Sequence, residues 1–265
     1  MRYANCVSGI VNTGAISLAP PDSGTVHLLQ LSGMLPDSAI EDWKQLLQSS
    51  EMAGVVRLRE FEDQQRAITR RALTRLMVAE YLKVRPDEIV FGCSERGKPF
   101  IVSPKTALCF NVSHSGDEIL WGFSSGAAIG VDIEVLRPVH DSDLIVNRFM
   151  APEERREFEA VDAEHRMEAL LSWWTSKEAC MKASGLGLAM PTQDFVVPIL
   201  CEPVRALVML SMARQSWTLF AFNKVAGTVG ACAVAGSATS ISMRHLGAWG
   251  WGLDAEMIRA GAKNP

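Results

Sequence analysis

Residues 108–134 read LCFNVSHSGDEILWGFSSGAAIGVDIE. Three short apolar runs, Leu108–Val112, Ile119–Phe123 and Ala128–Ile133, are separated by turns rich in Gly and Ser. Runs of this length bounded by turn residues predict strands, and turns this short predict an antiparallel sheet. Upstream, a long helix is expected from Glu60 to Lys83, with Ile68, Ala72, Leu76 and Ala79 at i+4 and i+3 steps and Pro86 beyond its end. Short strands at Glu88–Phe91 and Phe100–Val102 join it to the quoted stretch. Further out, Val26–Leu31 reads as a buried strand, and a helix opens at Pro36-Asp37-Ser38 and runs to about Gln48, with Ile40, Trp43, Leu46 and Leu47 on one stripe.

Downstream the pattern returns. Pro152-Glu153-Glu154 is an acidic first turn suited to a helix N-terminus. A second long helix is expected from about Ala163 to Ala183, stopped by Ser184-Gly185. Strands are expected at Phe195–Val197, Leu207–Ser211, Trp217–Ala221 and Thr228–Val234. A helix with strands, twice over, predicts an α+β fold of two similar halves, a pseudo-dimer in which each long helix packs on a small antiparallel sheet. The expected divisions are an arm over 1–24, a first half over 25–135, a second over 136–242 and a tail over 243–265.

The 265 residues are 48% hydrophobic and 21% charged, which excludes a disordered or fibrous chain. A net charge of −4 excludes a globally basic nucleic-acid wrapper, so any polyanion must meet a local basic cluster. Residues 3–21 and 225–243 carry no charge and have the length of a membrane span. Both hold too many Ser, Thr, Asn and Gly residues for that role, and a cytoplasmic protein without a membrane partner is expected. The cysteines at 6, 93, 109, 180, 201 and 232 form no C-x-x-C pair, which favours buried free thiols over disulfides or zinc. Charge is unevenly spread. Arginines 57, 59, 66, 70, 71 and 75 face three acids in the same stretch, whereas Asp141–Glu168 holds nine acids and four bases.

Three segments carry chemistry. Phe110-Asn111-Val112-Ser113-His114-Ser115-Gly116 ends a strand in hydroxyl, imidazole and amide groups of the kind that hold phosphate oxygens. No G-x-S-x-G elbow surrounds the serines, so a hydrolase nucleophile is not indicated. In Gly130-Val131-Asp132-Ile133-Glu134, strand alternation puts both carboxylates on one face, where a hard cation such as Mg²⁺ would relieve their repulsion. In Trp174-Thr175-Ser176-Lys177-Glu178-Ala179-Cys180-Met181-Lys182, Glu178 and Lys182 lie one helical turn apart. Glu178 could complete the metal site or accept a proton. An exposed strand edge and a surface Glu-Lys pair are the plainer alternatives.

Together these segments resemble the signature of the Sfp-type 4′-phosphopantetheinyl transferases. The family pattern is G-K-P, F-N-x-S-H, G-(V/I)-D-x-E, W-x-x-K-E-(A/S)-x-x-K and G-x-G-L. Its counterparts here are Gly97-Lys98-Pro99, Phe110 to His114, Gly130 to Glu134, Trp174 to Lys182 and Gly185-Leu186-Gly187-Leu188, and the match spans roughly Arg57 to Pro198. The resemblance implies coenzyme A in a cleft between the halves and transfer of 4′-phosphopantetheine to a serine of an acyl or peptidyl carrier protein, with release of 3′,5′-ADP. It implies Asp132, Glu134 and Glu178 as Mg²⁺ ligands, with Glu178, Lys182 and His114 as catalytic groups. Lys98, Pro99, Asn111, Ser113, His114 and Lys182 fall at coenzyme-contacting positions, and Arg57 and Arg75 are loosely matched to arginines facing the 3′-phosphate. A monomer fits a fused pair of halves. A metal-dependent phosphoester hydrolase would use the same carboxylates, and a non-catalytic coenzyme A or carrier-binding module is the other class.

Overall fold

The computed structural model describes residues 18–33, 37–199, 204–210, 215–225, 227–236, 238 and 240–247. The strands among the described residues are β1 (Thr25–Ser32), β2 (Val90–Cys93), β3 (Pro99–Ser103), β4 (Leu108–Ser115), β5 (Glu118–Ser125), β6 (Ile129–Val135), β7 (Val204–Leu210), β8 (Gln215–Val225), β9 (Thr228–Ala235) and β10 (Ser240–Gly247). The α-helices among the described residues are α1 (Asp37–Lys44), α2 (Ser49–Val55), α3 (Phe61–Leu82), α4 (Ser142–Phe149), α5 (Pro152–Glu159) and α6 (Arg166–Ser184). One sheet has the order β10-β1-β5-β4 and another β6-β9-β8-β7, while β2 and β3 form a separate ribbon. The fold is α+β, with small, largely antiparallel sheets, as expected.

Side-chain alternation along the strands generates the layers. In β1, Leu29 and Leu31 face Ile68, Leu73 and Met77 of α3, while Val26 and Leu28 face the opposite way. There they meet Ile129, Val131 and Ile133 of β6 and Cys232 and Val234 of β9, which forms an apolar seam between the two sheets. The other side of β9, through Ala231 and Ala233, packs on Leu170, Trp173 and Cys180 of α6. The order is therefore helix, sheet, sheet, helix. Both long helices end on left-handed residues, Lys83 (φ 55°) and Gly185 (φ 74°). The latter is the stop expected at Ser184-Gly185.

Several elements differ from expectation. The helix expected up to Gln48 closes at Lys44, and α2 follows after a turn. The segment Phe195–Val197 is not a strand. Its Val197 N–H donates to Glu154 Oε1 at 2.7 Å and its Phe195 carbonyl accepts from Lys177, so the buried Lys177–Glu154 ion pair (2.7 Å) takes the groups a ladder would need. The strand expected at 128–133 pairs with β9 in the second sheet. Residues 243–247, expected in the tail, continue β10, which pairs parallel to β1 and so departs from a purely antiparallel sheet. The tail beyond 247 and the arm before 18 lie outside the described residues. No described helix is long and apolar enough to cross a membrane, and the uncharged stretch 225–243 runs through β9 into β10. Cys180 and Cys232 are buried free thiols, but Cys93 is exposed and Cys109 half-buried, while Cys6 and Cys201 lie outside the described residues.

Gly130 is where β6 and α6 touch. A Cβ there would stand 2.2 Å from the Ala179 carbonyl oxygen and 2.2 Å from the Ala183 nitrogen, both rigid backbone atoms. We expect Gly130→Ala to force the helix off the strand and to destabilise the protein by about 1–3 kcal/mol or more, read as a lower urea midpoint. An unchanged midpoint would show that the contact is soft.

Candidate active site

β4 and β6 are edge strands of different sheets, and side chains rather than a backbone ladder join them. Asn111 Oδ1 accepts from the Val131 N–H at 2.9 Å. Ser113 Oγ donates to Asp132 Oδ1 at 2.7 Å. Ser115 Oγ donates to Glu134 Oε2 at 2.6 Å. Because strand alternation turns Val131 and Ile133 into the inter-sheet seam, Asp132 and Glu134 emerge on the side of α6. From that helix, Lys182 Nζ donates to Asp132 Oδ1 at 2.6 Å and to Ser113 Oγ at 3.0 Å.

Ser113, Asp132, Glu134 and Lys182 border an open cavity of about 440 Å³, together with His114, Glu178, Trp174 and Arg70 of α3. Burial raises the Asp132 carboxyl above the usual carboxylate range even though Lys182 and Ser113 favour its charged form. Burial also raises Glu178, and the negative charge of Asp132 adds to that shift. His114 is driven the other way, down to about 4, first by burial of its ring and then by the positive charges of Arg70, Lys182 and Arg66. At neutral pH it is therefore an uncharged imidazole, donating from one nitrogen and accepting at the other. Arg70 is lowered to about 10 by burial and the neighbouring Arg71 charge. It still carries its proton near neutrality, so the cavity has Arg70 and Lys182 as cations beside three carboxyl groups.

Asp132 Oδ2 is buried without a hydrogen-bond partner among the described residues. Glu178 makes no hydrogen bond or ion pair with a described residue, and Glu134 keeps Oε1 unbonded among them. Hard carboxylate oxygens with free lone pairs match what Mg²⁺ takes. They are not gathered into a ready cage. Among the described residues no group of three His, Cys, Asp or Glu side chains is arranged for a metal, and the cation at Asp132 is the Lys182 ammonium.

Six of the eleven expected site residues thus share one cavity: Ser113, His114, Asp132, Glu134, Glu178 and Lys182. Lys98, Pro99 and Asn111 border a neighbouring cavity of about 220 Å³, which Lys182 also lines. Lys98 Nζ donates to the carbonyls of Ile129 (2.9 Å), Lys182 (2.6 Å) and Ala183 (3.2 Å), so its protons tie β6 to the end of α6. Burial lowers it to about 8. Arg75 does not face either cavity. It is fully buried, donates to the carbonyls of Pro86 and Ile89 at 2.7 Å each, and is ion-paired with Glu51. Arg57 is exposed on the turn before α3 and borders neither cavity. The arginine that reaches the site is Arg70. Its signal was the four-residue step from Arg66 on a helix already expected, but five neighbouring arginines hid it.

Two family models match the chain. One, described as the 4′-phosphopantetheinyl transferase superfamily, covers residues 128–230, and the other, described as 4′-phosphopantetheinyl transferase, N-terminal, covers residues 37–121. The chain is 30% identical over 216 residues to the 4′-phosphopantetheinyl transferase HetI of Nostoc sp. PCC 7120, covering 81% of this chain and 89% of that protein. It is 30% identical over 220 residues to a phosphopantetheinyl transferase of Thraustochytrium sp., covering 78% and 76% respectively. A 4′-phosphopantetheinyl transferase of Bacillus subtilis is 33% identical over 136 residues, covering 51% of this chain and 59% of its own length.

The charge arrangement predicts a titration. The folded midpoint of His114 lies below the ordinary 6.5, so on acidification the unfolded chain takes this proton first. The stability tied to neutral His114 is complete above about pH 6.5 and is lost as the pH falls toward about 4. Asp132 and Glu178, raised in the fold, act in the opposite sense. By proton NMR the His114 ring should titrate near 4, and Arg70→Gln should move that midpoint upward. A wild-type midpoint near 6.5 would refute the arrangement.

Proposed function

The chain belongs to the 4′-phosphopantetheinyl transferase superfamily, and we propose that it transfers 4′-phosphopantetheine from coenzyme A to a serine hydroxyl of an acyl or peptidyl carrier protein, with Mg²⁺ bound and 3′,5′-ADP released. The observation that supports this reading is the meeting of Asp132, Glu134 and Glu178 with Lys182, Arg70 and His114 around one cavity. A site with both carboxylates for a cation and cations for phosphates suits a pyrophosphate substrate.

The serine oxygen forms a bond to the phosphorus that carries the pantetheine arm. The bond from that phosphorus to the bridging oxygen breaks, and the nucleotide leaves as 3′,5′-ADP. The serine proton goes to a base, for which Glu178, a carboxylate on the cavity wall, is the choice, directly or through a water. Asp132, Glu134 and Glu178 would hold the metal, which when bound supplies Lewis-acid polarisation of the pyrophosphate. Lys182, already poised between Asp132 and Ser113, supplies an ammonium for a phosphate oxygen. Arg70 adds a guanidinium, and neutral His114 adds one N–H donor without adding charge. Positioning and charge neutralisation are the main demands of phosphoryl transfer. The two helix-and-sheet units would act as the halves of a pseudo-dimer with this cavity between them, in a monomeric, cytoplasmic protein.

An apo carrier protein incubated with coenzyme A, Mg²⁺ and this protein should gain about 340 Da on one serine, read by mass spectrometry. Asp132→Ala and Glu178→Ala should each slow transfer at least about 100-fold while leaving the far-ultraviolet dichroism unchanged. Near-normal turnover in either variant would remove the metal assignment. Phosphopantetheine released to water without a carrier would point to a hydrolase instead.

A further inference from the structure

Ser113 and Ser115 stand two residues apart on β4 and meet Asp132 and Glu134, also two residues apart on β6, each pair separated by 19 positions in sequence. The hydroxyls form a ladder in register with the carboxylates, in the place where two edge strands have no backbone ladder. Ser113 shares its carboxylate with Lys182. The Ser115 hydroxyl is committed at both ends. It donates to Glu134 Oε2 at 2.6 Å and accepts from the Val135 N–H at 3.2 Å, which fixes where its proton points. Ser115 is buried, at 8% exposure, whereas the other donor to the same oxygen, Arg137 at 3.4 Å, is exposed on a flexible stem.

We propose that Ser115 is a positioning residue that holds Glu134 by Oε2 and so presents Oε1 to a divalent cation in the cavity. This rests on the reading of Asp132, Glu134 and Glu178 as metal ligands. The physical reason is entropic and geometric. A glutamate has three side-chain torsions to fix, and an exposed arginine fixes them weakly. A short hydroxyl bond from a rigid strand fixes the carboxylate plane, and bonds of this kind around metal ligands are worth 10–100-fold in metal affinity.

The test is Mn²⁺ titrated alone into the protein and followed by electron paramagnetic resonance, with thermal melts and carrier transfer measured on the same preparations. The expected result is Mn²⁺ binding at least about tenfold weaker in Ser115→Ala, and restored to within about twofold by Ser115→Thr, which returns a hydroxyl to the same strand position. The Mg²⁺ concentration for half-maximal transfer should rise in parallel, with a smaller change in the rate at saturating Mg²⁺. Wild-type affinity in Ser115→Ala, equal losses in both variants, or absence of Mn²⁺ binding by the wild-type protein would each overturn the proposal. A wild-type protein that binds Mn²⁺ but transfers nothing would instead defeat the functional reading and leave this one standing.

Discussion

Asp132 sets the terms for the rest of the molecule. Its carboxylate is buried where two sheet edges meet a helix, and burial alone raises its affinity for a proton. Lys182 and Ser113 oppose that shift without cancelling it, because removing both charges from water can exceed the attraction between them. One oxygen is satisfied by those two donors and the other has none. A cation or a hydrogen-bond donor reaching that oxygen would complete its interactions. The crowding of Glu178 and Glu134 nearby deepens the negative potential. Among the described residues this ion pair leaves Oδ2 of a cavity-lining carboxylate without a partner.

Holding such a group requires rigid surroundings, and the neighbouring contacts provide them. Gly130 lets α6 approach β6 to backbone contact, which sets Lys182 and Asp132 within bonding distance. Lys98 bridges the start of β6 and the end of α6 through three carbonyls. One residue before Glu178, Lys177 is buried in the opposite direction, paired with Glu154 and lying 4.0 Å from the centre of the Phe195 ring. Successive residues on a helix diverge by about 100°, so anchoring Lys177 in the core turns Glu178 outward to the cavity. The segment Trp174 to Lys182 therefore contains one lysine for architecture and, four residues after Glu178, another for the site.

Much of this was legible because periodicity reports burial. The two long helices fall within a few residues of expectation, since the first carries an apolar stripe and both carry an end signal. The two carboxylates of β6 were legible for the same reason, because alternation alone places them together. What escaped were features fixed by partners distant in the chain. Nothing local in Phe195-Val196-Val197 reveals that a buried ion pair claims its backbone, and so three β-formers in a row misled. β10 escaped even though Ser240-Ile241-Ser242-Met243 alternates polar and apolar residues, because its place depends on an eight-residue parallel register with β1, more than 200 positions upstream.

The arginines show where motif matching reaches its limit. Six of them within nineteen residues carry the same formal charge, yet the fold gives them separate tasks. Arg66 pairs with Asp63 and Asp117, Arg71 donates to the Glu51 carbonyl, and Arg75 is sealed against Glu51 and the ring of Phe91. Only a guanidinium without a carboxylate partner has charge left to offer an incoming anion, and on the cavity wall that is Arg70. Counting basic residues therefore overstates a binding face. The useful quantity is positive charge not already neutralised, and it is decided by which helical face meets acids from the rest of the chain. Here α3 spends Arg66 and Arg75 on folding and turns Arg70 to the site, a division that sequence order cannot assign.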